Sequence, residues 1–192
     1  MSGPLPGPPS SLAPPLGGSV PTHDVESLHE RQQDQMDAHL PATDDAQVSL
    51  RPVDQDNWRA IANLKVLETQ RGFVAEPCYY LALCCYGNDW QPLAISLDHQ
   101  VIGFMMWSTD PADGSCWLGG ILVDQSVQRH GYGRQAVLAA IAMLRGRHGY
   151  RNFALSYQPA NLAARGLYHK LGFIETNEWE GAEVVARLSL PE

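Results

Sequence analysis

Gln128-Arg129-His130-Gly131-Tyr132-Gly133 stands between an apolar run and an amphipathic segment, and its reading decides the fold. The run before it, Cys116–Val123, reads as a buried strand. After it, Val137, Ala140, Ile141 and Leu144 fall at i, i+3, i+4 and i+7, one face of a helix. A strand that turns through glycines into a helix start is an anion site. The first N–H groups of a helix lack intrahelical partners, and the helix dipole favours negative charge there. Glycine also lets a bulky anion approach where a Cβ would block it. The segment therefore predicts a phosphate or pyrophosphate pocket, although Gly-x-Gly alone equally fits a plain turn into a helix. Two common nucleotide motifs are excluded. Ala136 stands where Gly-x-Gly-x-x-Gly needs its third glycine, and no Gly-Lys-Ser/Thr follows.

A second signature lies downstream in Asn161-Leu162-Ala163-Ala164-Arg165-Gly166-Leu167-Tyr168-His169-Lys170-Leu171-Gly172-Phe173. Asn161 suits an N-cap, Ala164, Leu167, Tyr168 and Leu171 form an apolar stripe, and Gly172 suits a left-handed stop. Gln/Arg-x-x-Gly-x-Gly/Ala, followed some thirty residues later by Asn-x-x-Ala-x-x-Leu-Tyr-x-Lys-Leu-Gly-Phe, resembles the GNAT acetyltransferase superfamily. The resemblance covers about 48–190.

The first 46 residues differ from the rest. They hold eight of the 14 prolines and no Phe, Tyr or Trp. Asp24, Glu26, Glu30, Asp34, Asp37, Asp44 and Asp45 face one base, Arg31, so this segment carries most of the −8 net charge. Such a chain cannot bury enough apolar area to offset its ordering entropy. We expect a disordered acidic tail over 1–46, with a short helix over 25–36 as an option, and one folded domain over 47–192. Met36 is an alternative start, so whether 1–35 belong to the mature protein stays open. No targeting pattern and no membrane-length apolar run is present. The near-neutral remainder argues against nucleic acid. A cytoplasmic protein is expected, and a homodimer stays open. Cys78, Cys84, Cys85 and Cys116 show no zinc-ligand spacing, so no metal is expected and free buried thiols are the preferred reading over a catalytic cysteine.

From residue 48 the pattern alternates. Strands are expected over 48–53, 92–97, 100–108, Cys116–Val123, Asn152–Tyr157, 173–176 and 182–190, with a hairpin turn at Asp98-His99. A helix capped by Asp54 is expected over 55–69, with Trp58, Ile61, Ala62 and Val66 inward. Residues 78–85 read as helix or strand. The fold class is α/β, a three-layer sandwich around a mixed sheet of about seven strands.

The resemblance implies more. Cys116–Val123 and Asn152–Tyr157 would run parallel and splay apart to admit acetyl-CoA. Gly119-Gly120 would mark the bulge between them, or simply make room under a helix. Backbone N–H groups over 129–134 would hold the pyrophosphate, with Gln128, Arg129, His130, Gly131, Tyr132, Gly133 and Arg134 as cofactor-binding residues. Backbone atoms near Leu122 and Val123 would align the pantetheine arm like an added strand. Asn161 would bond the pantetheine, or cap its helix, or both. Tyr168 would protonate the departing thiolate, or else be a core tyrosine. A phenol of pKa about 10 suits delivery to a thiolate whose conjugate acid is near 8.5.

The reaction so implied is attack of a neutral amine on a thioester. The base is unresolved. Cys116–Val123 holds no carboxylate, Asp124 reads as structural, and Gln158 is neutral. Glu76, Asp89 and Glu183 are the other acids in view, and a water chain is an alternative. A narrower resemblance rests on Trp117-Leu118, Tyr132, Leu155-Ser156-Tyr157, Pro159 with Asn161, Glu183-Val184-Val185-Ala186-Arg187-Leu188, Phe73-Val74-Ala75 and Tyr80-Leu81-Ala82. It is to bacterial spermidine/spermine-type acetyltransferases. Relatives often carry an arginine where Gly119-Gly120 stand here, which bears on the acceptor. A polyamine site needs carboxylates for ammonium groups and aromatics for methylenes. Glu76, Asp89 and Glu183, with Tyr79, Trp90 and Trp107, could supply these, or could be ordinary surface and core. Another amine (an antibiotic, a protein lysine or N-terminus) and a non-catalytic acyl-CoA-binding module are the alternatives. Tyr168 speaks against the latter.

Overall fold

The computed structural model describes residues 47–87 and 89–191. The tail expected over 1–46, with its optional helix, lies outside the described residues. Seven strands form one sheet in the order β1-β2-β3-β4-β5-β7-β6. They are β1 (Val48–Pro52), β2 (Gln91–Leu97), β3 (Gln100–Thr109), β4 (Cys116–Val123), β5 (Asn152–Tyr157), β6 (Ile174–Glu180) and β7 (Glu183–Ser189). Helices are α1 (Trp58–Ala62), α2 (Pro77–Tyr86), α3 (Tyr132–His148) and α4 (Leu162–Lys170). Every strand pair is antiparallel except β4 with β5.

Unbroken burial over residues 93–97 of β2 and 102–106 of β3 shows that both sheet faces are covered. One face carries α1 and α2, where Ile61, Leu64 and Tyr80 join Ala94, Phe104, Met106 and Leu122. The helix α3 sinks Ala136, Val137, Ala140, Ile141 and Leu144, the stripe its sequence spacing predicts. Asp98 and His99 both take positive φ, +47° and +72°. That is the turn geometry that matches strand twist in a two-residue hairpin. Residues 78–85 are helical, and Pro77 opens α2 with Glu76 before it.

Three expectations need correction. The helix expected over 55–69 shrinks to Trp58–Ala62, followed by extended chain and a 3₁₀ turn at Glu68–Gln70. Asn63 turns its amide back to the Arg59 carbonyl at 2.8 Å. The Lys65 N–H then donates to Asp124 at 2.9 Å, and the Lys65 carbonyl accepts from Gln125 at 2.7 Å. Tertiary bonds to the end of β4 thus hold this stretch open. Trp58 is 41% exposed, not inward. The strand expected over 173–176 runs instead over Ile174–Glu180, because its polar residues pair with β7 in a hairpin. Cys78 and Cys85 are exposed, while Cys116 is buried and Cys84 half-buried. Burial pushes the Cys84 and Cys116 thiols up to about 12, which leaves them protonated and poor nucleophiles. Among the described residues no helix is long and apolar enough to cross a membrane.

Candidate active site

The pairing of β4 with β5 stops after two positions, Cys116 with Phe153 and Trp117 with Ala154. Beyond them the strands part. The cause is written into β4. Phe104 pairs with Leu122 and Met106 with Gly119, so Gly120 and Ile121 together face Met105. Gly120 adopts φ +58°, which a side chain would strain. It is therefore a bulge. Gly119 answers to close approach instead. A Cβ there would stand 2.9 Å from Cζ3 and Cη2 of Trp90. Gly120 is thus the bulge, while Gly119 makes room for the Trp90 indole just before β2 rather than for a helix.

The glycine turn lies past the open end of β4. Asp124 accepts from Ser126 N–H at 3.0 Å and starts a 3₁₀ turn over Gln125–Val127. Arg129 and Gly131 take φ +68° and +80°, and α3 begins at Tyr132 with no side-chain cap. The first N–H groups of α3 are thus left without an intrahelical partner. Arg129, His130, Gly131 and Arg134 are exposed around them, and Tyr132 and Gly133 are half-buried. A Cβ on Gly133 would come 3.8 Å from Val123 Cγ2 and Leu167 Cδ2, so Gly133 borders the passage between β4 and α4. His130 sets its Nδ1 3.2 Å from the Val127 carbonyl and its ring 5.8 Å from Tyr132. Gln128 points into the loop. It donates to the Val123 carbonyl at 2.9 Å and exchanges amide bonds with Gln70. Leu122 is buried in the core face, and Val123 is half-buried.

Asn161 caps α4 through Ala164 N–H at 3.1 Å. That helix is clamped to β6 by Arg165 on Glu175 at 2.8 Å, while the Tyr157 hydroxyl donates to the same carboxylate at 2.7 Å. The clamp fixes Tyr168, whose ring lies 5.4 Å from that of Tyr157 and 6.0 Å from that of Phe173. Burial pushes the Tyr168 phenol well above its ordinary value, and the charge of Glu183 pushes it further. The Tyr80 phenol is also raised by burial, against a hydrogen bond from Ala75 N–H, with Glu183 adding to the rise.

Of the acids singled out in the sequence, Glu183 is the one whose charge acts on both the Tyr168 and the Tyr80 phenol. It is half-buried, and its Oε2 accepts from Ser156 Oγ at 2.6 Å. Among the described residues it has no cationic partner. Arg187 on the same strand is committed to Glu178 at 2.6 Å and Asp113 at 2.9 Å. Glu76 is exposed and borders a cavity of about 140 Å³ with Leu64, Val74, Pro77 and Leu122. Asp89 is exposed, one residue before Trp90. Gln158 holds the Gly72 carbonyl at 2.8 Å. Trp107 does not join this group; its ring packs 5.1 Å from His148 and 6.1 Å from Tyr150. Tyr79 is 42% exposed. Sequence reasoning gave Tyr80 and Ser156 no role. The signal for Ser156 was the β5–β7 register, which sets it opposite Val185, two positions from Glu183.

A parallel strand pair forced open by a bulge, with a glycine-led helix start beyond it, meets the family comparison directly. The model of the Acetyltransferase (GNAT) family matches residues 58–173. The chain belongs to this family. As a GNAT acetyltransferase it is similar to the spermine/spermidine N(1)-acetyltransferase of Bacillus subtilis (strain 168). The two are 24% identical over 132 residues, covering 66% of this chain and 87% of the relative. The GNAT fold is shared with AAC(6')-Ib solved with Parmomycin and acetyl-CoA, at TM-score 0.62 and 17% identity, over 74% of this chain and 93% of that one. It is shared also with the spermidine N-acetyltransferase of Vibrio cholerae solved with CoA and spermine. There the TM-score is 0.57 and the identity 16%, over 74% of this chain and 94% of that one.

Proposed function

We propose that this acetyltransferase moves the acetyl group of acetyl-CoA to a primary amine of a polyamine such as spermidine. The observation that carries the acceptor is Glu183, a half-buried carboxylate without a cation among the described residues, beside the Tyr80 and Tyr168 phenols. A partly buried charge is costly alone and favours an ammonium partner. The curated relative from Bacillus subtilis, named for spermine and spermidine, supports the same acceptor class.

The residues fit acetyl-CoA. Gly131 takes φ +80° with open space where a Cβ would stand, and the start of α3 beside it is uncapped by a side chain. N–H groups over 129–134 hold the pyrophosphate, and Arg129 and Arg134 add positive charge. Free edges of β4 and β5 beyond Trp117 and Ala154 align the pantetheine arm by backbone bonds. Holding amine and thioester together removes much of the entropic barrier. Tyr168 delivers a proton to the leaving sulfur, and its raised pKa keeps that proton in place at neutral pH. Glu76 and Asp89 serve the distal ammonium groups, and the Trp90 face lines the methylene chain.

A thiol-release screen with acetyl-CoA tests this reading. Spermidine, spermine and diamines should turn over, with KM rising with salt as screening weakens the ion pairs. Silence from all of them, with release from a peptide or an aminoglycoside, would retire the polyamine acceptor and leave the acetyltransferase standing.

A further inference from the structure

A GNAT reaction needs a group to take the proton of the attacking amine, and β4 holds no carboxylate between Cys116 and Val123. The nearest strand end offers one. Ser156 is the penultimate residue of β5, where β5 has already left β4. Its hydroxyl fixes Glu183 Oε2 at 2.6 Å, and among the described residues no other partner holds that carboxylate. The titratable groups facing it are Tyr80 from α2 and Tyr168 from α4, with Glu180 opposite on β6. The charge of Glu183 thus reaches the Tyr168 phenol, and Ser156 holds that carboxylate where β5 has left β4.

We propose that Glu183, fixed by Ser156, accepts the proton of the attacking amine, so that β7 supplies the base of this enzyme. The inference rests on the acetyl transfer read above. The amine nitrogen bonds the thioester carbonyl carbon, and the N–H proton passes to the Glu183 carboxylate. The C–S bond breaks, its electron pair leaves on sulfur, and the Tyr168 phenol protonates that sulfur. One proton has then been gained by Glu183 and one lost by Tyr168, and solvent exchange restores both. Ser156 is a positioning residue, since it acts through the carboxylate.

The test compares thiol release by the wild type, Glu183→Gln, Glu183→Ala, Ser156→Ala and Ser156→Thr, on spermidine and on the best non-polyamine amine of the screen. Glu183→Gln should lower kcat about 10²-fold or more on both acceptors while the acetyl-CoA-dependent rise in Tm is kept. Formate should restore part of the rate to Glu183→Ala. Ser156→Ala should lose less, and Ser156→Thr should recover it. A raised KM with unchanged kcat in Glu183→Gln would make the carboxylate an anchor alone and overturn the inference. If spermidine is silent and another amine reacts, the polyamine reading falls by itself, and the Glu183 variants decide the base on that other amine.

Discussion

Trp90 lays the far edge of its indole on Gly119, so closely that a Cβ at 119 would stand 2.9 Å from two ring carbons. The contact joins the start of β2 to β4 one residue before the bulge at Gly120. Gly119→Ala must therefore push the indole aside. Overpacking of this kind costs about 1–3 kcal/mol, and urea unfolding should show it. The same variant should raise KM for long polyamines more than for diamines, because the displaced ring no longer lines the methylene chain. Equal KM shifts for both would remove Trp90 from the acceptor wall.

Gly133 and Gly131 separate ligand effects from fold effects. Gly133 lies in the first turn of α3 with room for a Cβ at 3.8 Å from its neighbours. Gly133→Ala should leave the free protein as stable or more stable, by up to about 1 kcal/mol. Gly133→Val should fill the passage between Val123 and Leu167. Acetyl-CoA at a hundredfold excess over its dissociation constant adds about 2.7 kcal/mol to the wild type, and the Val variant should lose most of this. Gly131→Val also strains a left-handed residue, by roughly 1–2 kcal/mol, so it should lower the Tm even without ligand. Calorimetry with and without acetyl-CoA reads all three.

Tyr168→Phe should lower kcat by about 10²–10⁴-fold with acetyl-CoA affinity nearly intact. Since its phenol is raised by burial, the wild-type rate should show no falling limb from this group below pH 10. A Phe variant as fast as wild type across pH would assign that proton to water.

Alkaline pH should destabilise the fold. Burial raises the phenols of Tyr80, Tyr157 and Tyr168, that of Tyr157 to about 12. Below pH 10 these groups are protonated in both folded and unfolded chains, so their contribution is complete. Above pH 10 the unfolded chain releases protons that the folded one retains, and stability falls by roughly 1.4 kcal/mol per pH unit for each phenol until its folded pKa is passed. Tm against pH from 8 to 12 checks the sign. Tyr157→Phe should flatten the slope.

The succession of strands along the chain, the α3 stripe and the Asn161 cap were legible because each follows from local spacing. The segment after Ala62 was not, since its carbonyl and amide partners lie on Asp124 and Gln125, some sixty positions away. β6 was cut short because its polar residues look like loop until β7 holds them, Glu180 by pairing with Glu183 and Thr176 and Glu178 by side-chain bonds to Val185 and Arg187. Trp107 reads as a candidate liner from its type, but the parity of β3 sends it toward His148. Glu183 could be nominated as an acid from sequence. The reach of its charge to the Tyr168 phenol could not, because that depends on the β5–β7 register and on how α4 is clamped.

The early parting of β4 from β5 places two unsatisfied strand borders in the middle of a sheet rather than at its rim. Exposed rims invite pairing with other chains and hence aggregation. Here the two borders belong to neighbouring strands inside the sheet, not to its outer edges. A slender amide-bearing arm can still enter, and it would knit the two leaves of the sheet into one. Amide hydrogen exchange over residues 118–123 and 155–157 should then slow on loading, as though the protein had been one strand short until that moment.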